Sequence, residues 1–209
     1  EIPAAVYSGA PEFEDYDRVV SDHEAGAYQL TKFLLAKRRQ RIFNVWPQGT
    51  QGYWYAPRCA GYERAMCEAG LEPLPTIEVP AQPEVIETKE EFDALARSWC
   101  GALVTCIHDV QPMDAVLLPS DGFTSTLAAT LRLFRLEPGR DVLLAGYDNY
   151  WTEMPNRKFD EALPNVSVDK RNHLIGEELV RLLFNRAQET LPPQPQLRTV
   201  EPELVVVES

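Results

Sequence analysis

The chain has no apolar run near the roughly 20 residues that a membrane helix needs, so no membrane partner is predicted. Its first residues, Glu1 to Tyr7, lack the basic start and the long apolar centre of a secretory signal peptide. The chain also lacks an initiator methionine, since Glu1 leads directly into a strand-like segment. We therefore expect this sequence to begin inside a longer protein.

Positive charge is scarce. Twenty lysines and arginines stand against 32 aspartates and glutamates, which gives a net charge of −12. A phosphate backbone is bound by a basic surface, so these residues are not expected to bind nucleic acid themselves. The longest basic cluster, Lys37 to Arg41, is more simply the cationic end of a helix.

Cysteine and histidine are too few and too dispersed for a metal centre. The four cysteines form no C-x-x-C pair and have no histidine at zinc-ligand spacing, which favours reduced thiols in a cytoplasmic protein. His23, His108 and His173 are predicted to be solvated or helix-capping residues. No nucleophile–base pair or glycine-rich phosphate loop accompanies the aspartates, so neither an enzyme nor a cofactor is predicted.

Two similar apolar segments, Asp114–Asp121 and Asp141–Asp148, are the most informative feature that is present. Each is a short valine- and leucine-rich run that stops at an aspartate, and the amphipathic stretch Thr124 to Phe134 separates them. Such a pattern predicts a βαβ unit with parallel strands buried on both faces. Because ligands bind beyond the carboxyl ends of parallel strands, Ser120, Asp121 and Asp148 should lie near a small-molecule site.

Strand-like and helix-like segments alternate along the rest of the chain. Asp22 is a plausible cap for a helix over residues 24–39, and Thr88 with Glu91 resembles a capping box for a helix over residues 90–107. A further helix is predicted over residues 60–68 and another over residues 172–188. The fold class is therefore α/β, a Rossmann-like and mainly parallel sheet flanked by helices.

Six short motifs occur in an order that resembles the effector-binding region of the lactose/galactose repressor (LacI/GalR) family. None of them is specific alone, and their order over nearly the whole chain carries the resemblance. They are Val19–Gly26, Arg58–Tyr62, Val116–Asp121, Asp141–Asn149, Pro164–Val168 with Leu174–Gly176, and Leu204–Ser209.

The resemblance implies a periplasmic-binding-protein-like type I fold, in which two lobes enclose a ligand cleft. Residues 1–21 would end the first lobe, with a strand-like segment that starts at Ile2. Residues 22–168 would form the second lobe. Residues 169–196 would hold a helix that crosses back, and residues 197–209 a C-terminal strand segment. A DNA-binding helix-turn-helix headpiece would precede residue 1, and the expected assembly on a palindromic operator is a homodimer.

Carried onto this sequence, the resemblance also implies ligand contacts. Arg58 would hold ligand hydroxyls, Asp148 would accept from them, and Ser120 stands where an asparagine is usual. Ser21 lies at the first crossing between lobes and Lys170 at the second. The three departures from the family pattern are Ser120, the pair Lys170–Arg171, and Val207 in place of a typical arginine.

Residue chemistry leaves alternatives open at several of these positions. Arg58 and Asp148 suit a polyol, but they could instead form a structural ion pair. Trp46 and Trp151 are the favoured aromatic contacts, although such rings also serve as core or subunit contacts. Lys170 and Arg171 could favour an acidic sugar or form a solvent-facing hinge pair.

Asp121 is predicted to cap the helix that follows it rather than to contact ligand.

Three functions follow, in order of preference. The first is the ligand-sensing domain of a DNA-binding transcriptional regulator whose effector is a sugar or sugar derivative. The second is a periplasmic sugar-binding protein of a transporter, against which the absent signal peptide argues mildly. The third, an enzyme using Asp121 or Asp148, is the least favoured, because no accompanying catalytic group is found.

Overall fold

The structure is a computed structural model that describes residues 3–207. Its strands are β1 Ala5–Tyr7, β2 Asp17–Ser21, β3 Ile42–Pro47, β4 Ile77–Val79, β5 Ala115–Leu117, β6 Leu143–Ala145, β7 Val166–Asp169, β8 Leu197–Val200 and β9 Glu203–Val206. Its helices are α1 His23–Ala36, α2 Tyr55–Glu68, α3 Lys89–Ile107, α4 Thr124–Leu133 and α5 Asn172–Ala187. Residues 1, 2, 208 and 209, which belong to the predicted terminal segments, lie outside the described residues.

Six strands form the larger sheet, in the order β4-β3-β5-β6-β7-β9. All neighbours in it are parallel except β7 and β9, which pair antiparallel. The predicted βαβ unit is confirmed, since β5 and β6 are parallel neighbours joined by α4. The predicted α/β class with a mainly parallel sheet is confirmed as well.

Helices cover both faces of this sheet, which is why its strands are apolar without alternation. On β5, Val116 faces the cluster that includes side chains of α3 and α4, whereas Ala115 and Leu117 face the cluster that includes side chains of α1 and α2. The first cluster is built around Trp99, Leu127 and Leu131, and the second around Leu30, Tyr62 and Met66. The result is a three-layer α/β/α sandwich.

The smaller sheet has three parallel strands in the order β1-β2-β8, with α5 packed on one face. Val19, Ile175, Leu182 and Val200 form its apolar centre. Arg186 on α5 donates two hydrogen bonds, of 2.6 and 2.8 Å, to the buried carboxylate of Asp17 on β2. This bidentate pair fixes α5 onto the sheet.

The chain crosses between the two sheets three times within the described residues. It leaves β2 of the smaller sheet for α1 after Ser21, and it leaves β7 of the larger sheet for α5 through Arg171, whose φ is +59°. It returns between β8 and β9, where only residues 201 and 202 separate the two strands. The predicted C-terminal strand segment thus contains two strands that belong to different sheets.

Helix boundaries follow the capping signals closely. Asp22 accepts from the backbone N–H of Ala25, and the Thr88–Glu91 capping box is present as predicted. The prediction for α2 was wrong at its start, because this helix begins at Tyr55 rather than at residue 60. Pro57 lies in its first turn, where a missing N–H costs no hydrogen bond.

The longest helix, α3, has 19 residues and buries Phe92, Trp99 and Leu103 against the sheet. Charged residues such as Glu90 and Arg97 lie on its exposed face. Across residues 3–207, no helix combines the length and the apolar character that crossing a membrane requires.

Candidate functional site

The candidate site lies where the carboxyl ends of β3, β5 and β6 meet the crossings between the two sheets. The order of the larger sheet reverses at β3 and β5, since the chain goes from β3 outward to β4 and then back to β5. Ligands of open α/β sheets bind at such a switch point. Trp46 lies near the end of β3, Ser120 follows β5, and Asp148 follows β6.

Arg58, in the first turn of α2, is at the centre of the site although it is only 5% exposed. Its Nη1 donates to the carbonyl of Pro119 at 2.7 Å, and its Nη2 lies 3.4 Å from His23 Nδ1. The guanidinium is held between two rings, 3.4 Å from the centroid of Tyr147 and 4.3 Å from that of Trp54. Its Nε has no hydrogen-bond partner.

Burial lowers the pKa of Arg58, whereas nearby Tyr147 and Asp148 raise it. An arginine has so high a pKa that it remains cationic even after such a shift. No carboxylate among residues 3–207 forms an ion pair with it within 4.0 Å. Arg58 is therefore a buried positive charge that has no ion-pair partner among the described residues and is held by a carbonyl, the His23 ring nitrogen and two aromatic faces.

His23, the first residue of α1, lies beside Arg58 and is also only 5% exposed. The prediction that it is solvated or caps a helix was wrong. Its ring packs against Tyr53 and Tyr147, and burial together with Arg58 and Lys170 lowers its pKa to about 3. The imidazole is consequently neutral at physiological pH.

The sequence did contain a signal for the burial of His23. With Ala27, Leu30 and Leu34 it continues the apolar face of α1 at steps of four, three and four residues, and all four residues are buried. A histidine in line with such a face is expected to be covered.

Asp148 lies on the same side of the molecule as Arg58, because it follows Tyr147, whose ring packs on the guanidinium. Its ion pair is with Lys170, at 2.8 Å, and not with Arg58. Both partners are partly buried, and Lys170 belongs to the second crossing. Asp148 and Asn149 have φ values of +90° and +53°, a left-handed conformation that Asp and Asn adopt more readily than other non-glycine residues.

The polar residues beyond β5 and β6 are bonded to one another. Ser120 Oγ lies 2.9 Å from the phenol oxygen of Tyr150, and Trp151 donates from its indole nitrogen to Asn149 Oδ1 at 3.2 Å. Ser120 and Trp151 are both half-buried.

Asp121 does not cap α4, which corrects the prediction. Ser120 provides the local turn contact, accepting from the N–H of Gly122, while Asp121 is fully buried beneath the strand ends. It accepts from Ser167 Oγ at 2.8 and 3.0 Å and from the N–H of Tyr150 at 3.0 Å. Burial raises its pKa to about 7 despite these hydrogen bonds.

The loop between β3 and α2 covers the site with aromatic side chains. Tyr53 reaches the smaller sheet, where its ring lies against Gly9, edge-on to Tyr7, and next to His23. Trp54 lies between Arg58 and Trp46, which is 3% exposed and has an unpartnered indole N–H. Trp54, which was not among the favoured contacts, is the tryptophan that touches Arg58.

A groove of about 350 Å³ opens at the first crossing and is lined in part by Ser21, His23 and Tyr53. Ser21 is buried, and its Oγ has no partner. Among residues 3–207 there is no cluster of His, Cys, Asp or Glu that could hold a metal ion. The chemistry available here is recognition by charge, hydrogen-bond donors and aromatic faces.

Comparison with known proteins identifies the relatives of this arrangement. No protein-family model matches the chain. The HTH-type transcriptional repressor PurR of Vibrio campbellii is 24% identical over 214 residues, covering 99% of this chain and 56% of that protein. The structure of the transcriptional regulator CelR in complex with cellobiose superimposes with a TM-score of 0.67 at 26% identity, over 95% of this chain and 55% of that one.

A LacI family transcriptional regulator from Enterococcus faecium with bound ribose gives a TM-score of 0.69 at 17% identity, over 97% of this chain and 68% of that one. The chain is homologous to LacI-family transcriptional regulators. The resemblance predicted from the ordered motifs is thereby confirmed. The chain spans about half the length of the curated relatives that it matches.

Proposed function

We propose that this chain is the effector-binding part of a DNA-binding transcriptional regulator. Its effector, a sugar or sugar derivative, would bind in a cleft between two lobes at Arg58 and Asp148. The support is the homology to repressors over nearly the whole chain, together with the bound cellobiose in the CelR relative.

The buried charge of Arg58 is the observation that carries this proposal. The Arg58 guanidinium is 95% buried and has no carboxylate partner. Removing a charge from water costs several kcal/mol, so this arrangement lowers the stability of the fold and calls for a functional reason. Such a group at a topological switch point, flanked by tyrosine and tryptophan faces, suits a polar ligand whose oxygens accept from it.

The other proposed contacts surround this arginine. Asp148 and Ser120 would bind ligand hydroxyls from the strand ends, and Ser21 and Lys170 would do so from the two crossings. Trp151 and Trp46 would supply aromatic surface. Trp46 would do so only if Trp54, which lies between it and Arg58, moves aside. All of these roles are proposals for which the geometry described above is the support.

The switch would work by a change of lobe angle. We assign residues 1–21 to the end of the first lobe, 22–168 to the second, 169–196 to the helix that returns, and 197–209 to the final strand segment. The chain crosses three times between the sheets, so the two lobes would move as linked bodies. An effector that touches both lobes would stabilise the lobe angle at which it binds more tightly.

The proposed partners follow from the same assignment. Operator DNA would be bound by a helix-turn-helix headpiece upstream of residue 1, in a homodimer that matches a palindromic site. A regulator of this kind acts in the cytoplasm, without enzymatic activity and without a cofactor.

The test is a thermal-shift screen of neutral sugars, sugar acids and sugar phosphates, beginning with cellobiose and ribose. Arg58→Gln removes the charge while retaining length, and Arg97→Gln on the exposed face of α3 is the control. We expect one ligand to raise the melting temperature of the wild type and of Arg97→Gln only. A ligand that stabilises all three proteins equally would show that Arg58 is not the binding residue.

A further inference from the structure

Most of the buried polar atoms without a hydrogen-bond partner around Arg58 are donors or can act as donors. They are His23 Nε2, Arg58 Nε, Trp46 Nε1 and Ser21 Oγ. The exception is Asp148 Oδ1, an acceptor that Lys170 Nζ faces at 2.8 Å in an ion pair. Arginine and tryptophan nitrogens only donate, and a serine hydroxyl can do so. The remaining question is whether His23 Nε2 is a donor as well.

The contacts of His23 fix its tautomer. A neutral imidazole has one donor and one acceptor nitrogen. Arg58 Nη2, which only donates, lies 3.4 Å from His23 Nδ1, and the Tyr147 hydroxyl lies at the same distance from that atom. Nδ1 must therefore be the acceptor, so Nε2 carries the proton and is a buried donor without a partner.

The carboxylates that surround these donors are bound to other groups of the chain. Asp148 is engaged by Lys170, Asp22 accepts from the first turn of α1, and Asp169 accepts from Asn149 and from the N–H of Arg171. Lys170 Nζ lies 2.8 Å from Asp148 Oδ1, and Asp148 follows Tyr147, whose ring covers the guanidinium of Arg58. The two cations therefore lie on either side of one short segment.

We propose that the effector presents an anionic oxygen group, a carboxylate or a phosphate, to His23, Arg58 and Lys170. This inference rests on the proposed ligand-sensing function and narrows its ligand class from sugars in general to acidic sugars or related organic acids. An anionic group accepts several hydrogen bonds at once and compensates the buried guanidinium, which a neutral hydroxyl does not.

Two experiments on the full chain test the inference. The first is a long-range ¹H–¹⁵N NMR correlation of the histidine rings without ligand, with His23→Gln used to assign the signals. We expect His23 to be neutral between pH 5 and 8, with its proton on Nε2. A signal of the Nδ1–H tautomer, or a charged ring at pH 6, would overturn the argument from donors.

The second experiment measures thermal shift and tryptophan fluorescence with inorganic phosphate and with glucuronate, each against chloride at equal ionic strength and against glucose. The two anions separate a phosphate from a carboxylate group. We expect at least one of them to raise the melting temperature of the wild type and of Arg97→Gln by several degrees. Arg58→Gln and Lys170→Gln should lose most of that shift.

The outcomes separate this inference from the proposed function. If a neutral sugar stabilises the chain through Arg58 while both anions do nothing, the sensor function stands and the anionic effector is wrong. If the anions stabilise Arg58→Gln and Lys170→Gln as strongly as the wild type, they bind elsewhere, and the inference is overturned. If Arg58→Gln does not fold, Lys170→Gln alone decides, because Lys170 is partly exposed whereas Arg58 is buried.

Discussion

Gly61 is the position where a single methyl group should have the clearest effect. A Cβ there would lie 2.2 Å from the carbonyl oxygen of Glu24 and 2.9 Å from the amide nitrogen of Tyr28. Both atoms belong to the backbone of α1, so they cannot rotate away as a side chain would. The two helices are in direct backbone contact at this point, and only glycine permits it.

The magnitude follows from two opposing terms. Replacing a helical glycine by alanine ordinarily gains about 1 kcal/mol, whereas inserting a methyl group into a packed interface costs about 1 to 3 kcal/mol or more. Because a gap of 2.2 Å to backbone requires α1 and α2 to separate, we expect the cost to dominate. Gly61→Ala should lose roughly 2 kcal/mol of stability, about 4 to 8 °C in melting temperature.

Gly101 provides the matched control. It lies in α3, is exposed, and has nothing within 4 Å of its would-be Cβ, so Gly101→Ala should be neutral or stabilising by up to about 1 kcal/mol. Urea unfolding followed by circular dichroism and by tryptophan fluorescence measures both variants. Equal stability of the two variants would refute the reasoning. Because Gly61 follows Arg58 by one turn, Gly61→Ala should also weaken any ligand effect that depends on Arg58.

Three further predictions concern pH and capping. Burial raises the pKa of Asp121 to about 7 in the folded chain, against 3.8 when it is exposed. The folded state therefore holds this proton more tightly, and the stability should fall by at most about 4 kcal/mol as pH rises from 4 to 7. Asp121→Asn should remove that part of the pH dependence in urea titrations, and an unchanged slope would contradict it. Arg186 lowers the pKa of Asp17, so Arg186→Gln should cost about 1 to 3 kcal/mol at pH 7. This loss should shrink as pH falls below the ordinary aspartate value, and a gap of the same size at pH 7 and at pH 2.5 would exclude the ion pair as its cause. Thr88→Ala should cost about 1 kcal/mol by thermal melting through loss of the capping box with Glu91, and no change would mean that the cap is dispensable.

The larger sheet was predictable because its signals are local. Buried parallel strands require continuous apolar runs, and β5 and β6 have them. Helix starts at Asp22 and Thr88 follow from side chains that bond to backbone within three residues. Features of this kind depend on a few neighbouring residues, so they can be predicted without knowing the fold.

The misassigned residues are those whose environment is made by distant segments. His23 is neutral because Arg58 and Tyr147 come from other elements to bury it. Asp121 binds Ser167, which lies 46 residues away in sequence, instead of the helix beside it. Single-sequence reasoning sees a capping aspartate and an isolated histidine, because it has no access to contacts across the sheet.

Three connections join the two sheets, and the shortest of them is the pair of residues 201 and 202. Short connections at the ends of strands and helices are the places where hinges form, so hinge rotation at these ties is the easiest displacement of the two bodies. A pair of spectroscopic labels, one on each body, would therefore report a single opening coordinate. Proline at position 202 stiffens that shortest tie by fixing its own φ, and the proposed change of lobe angle would pivot there.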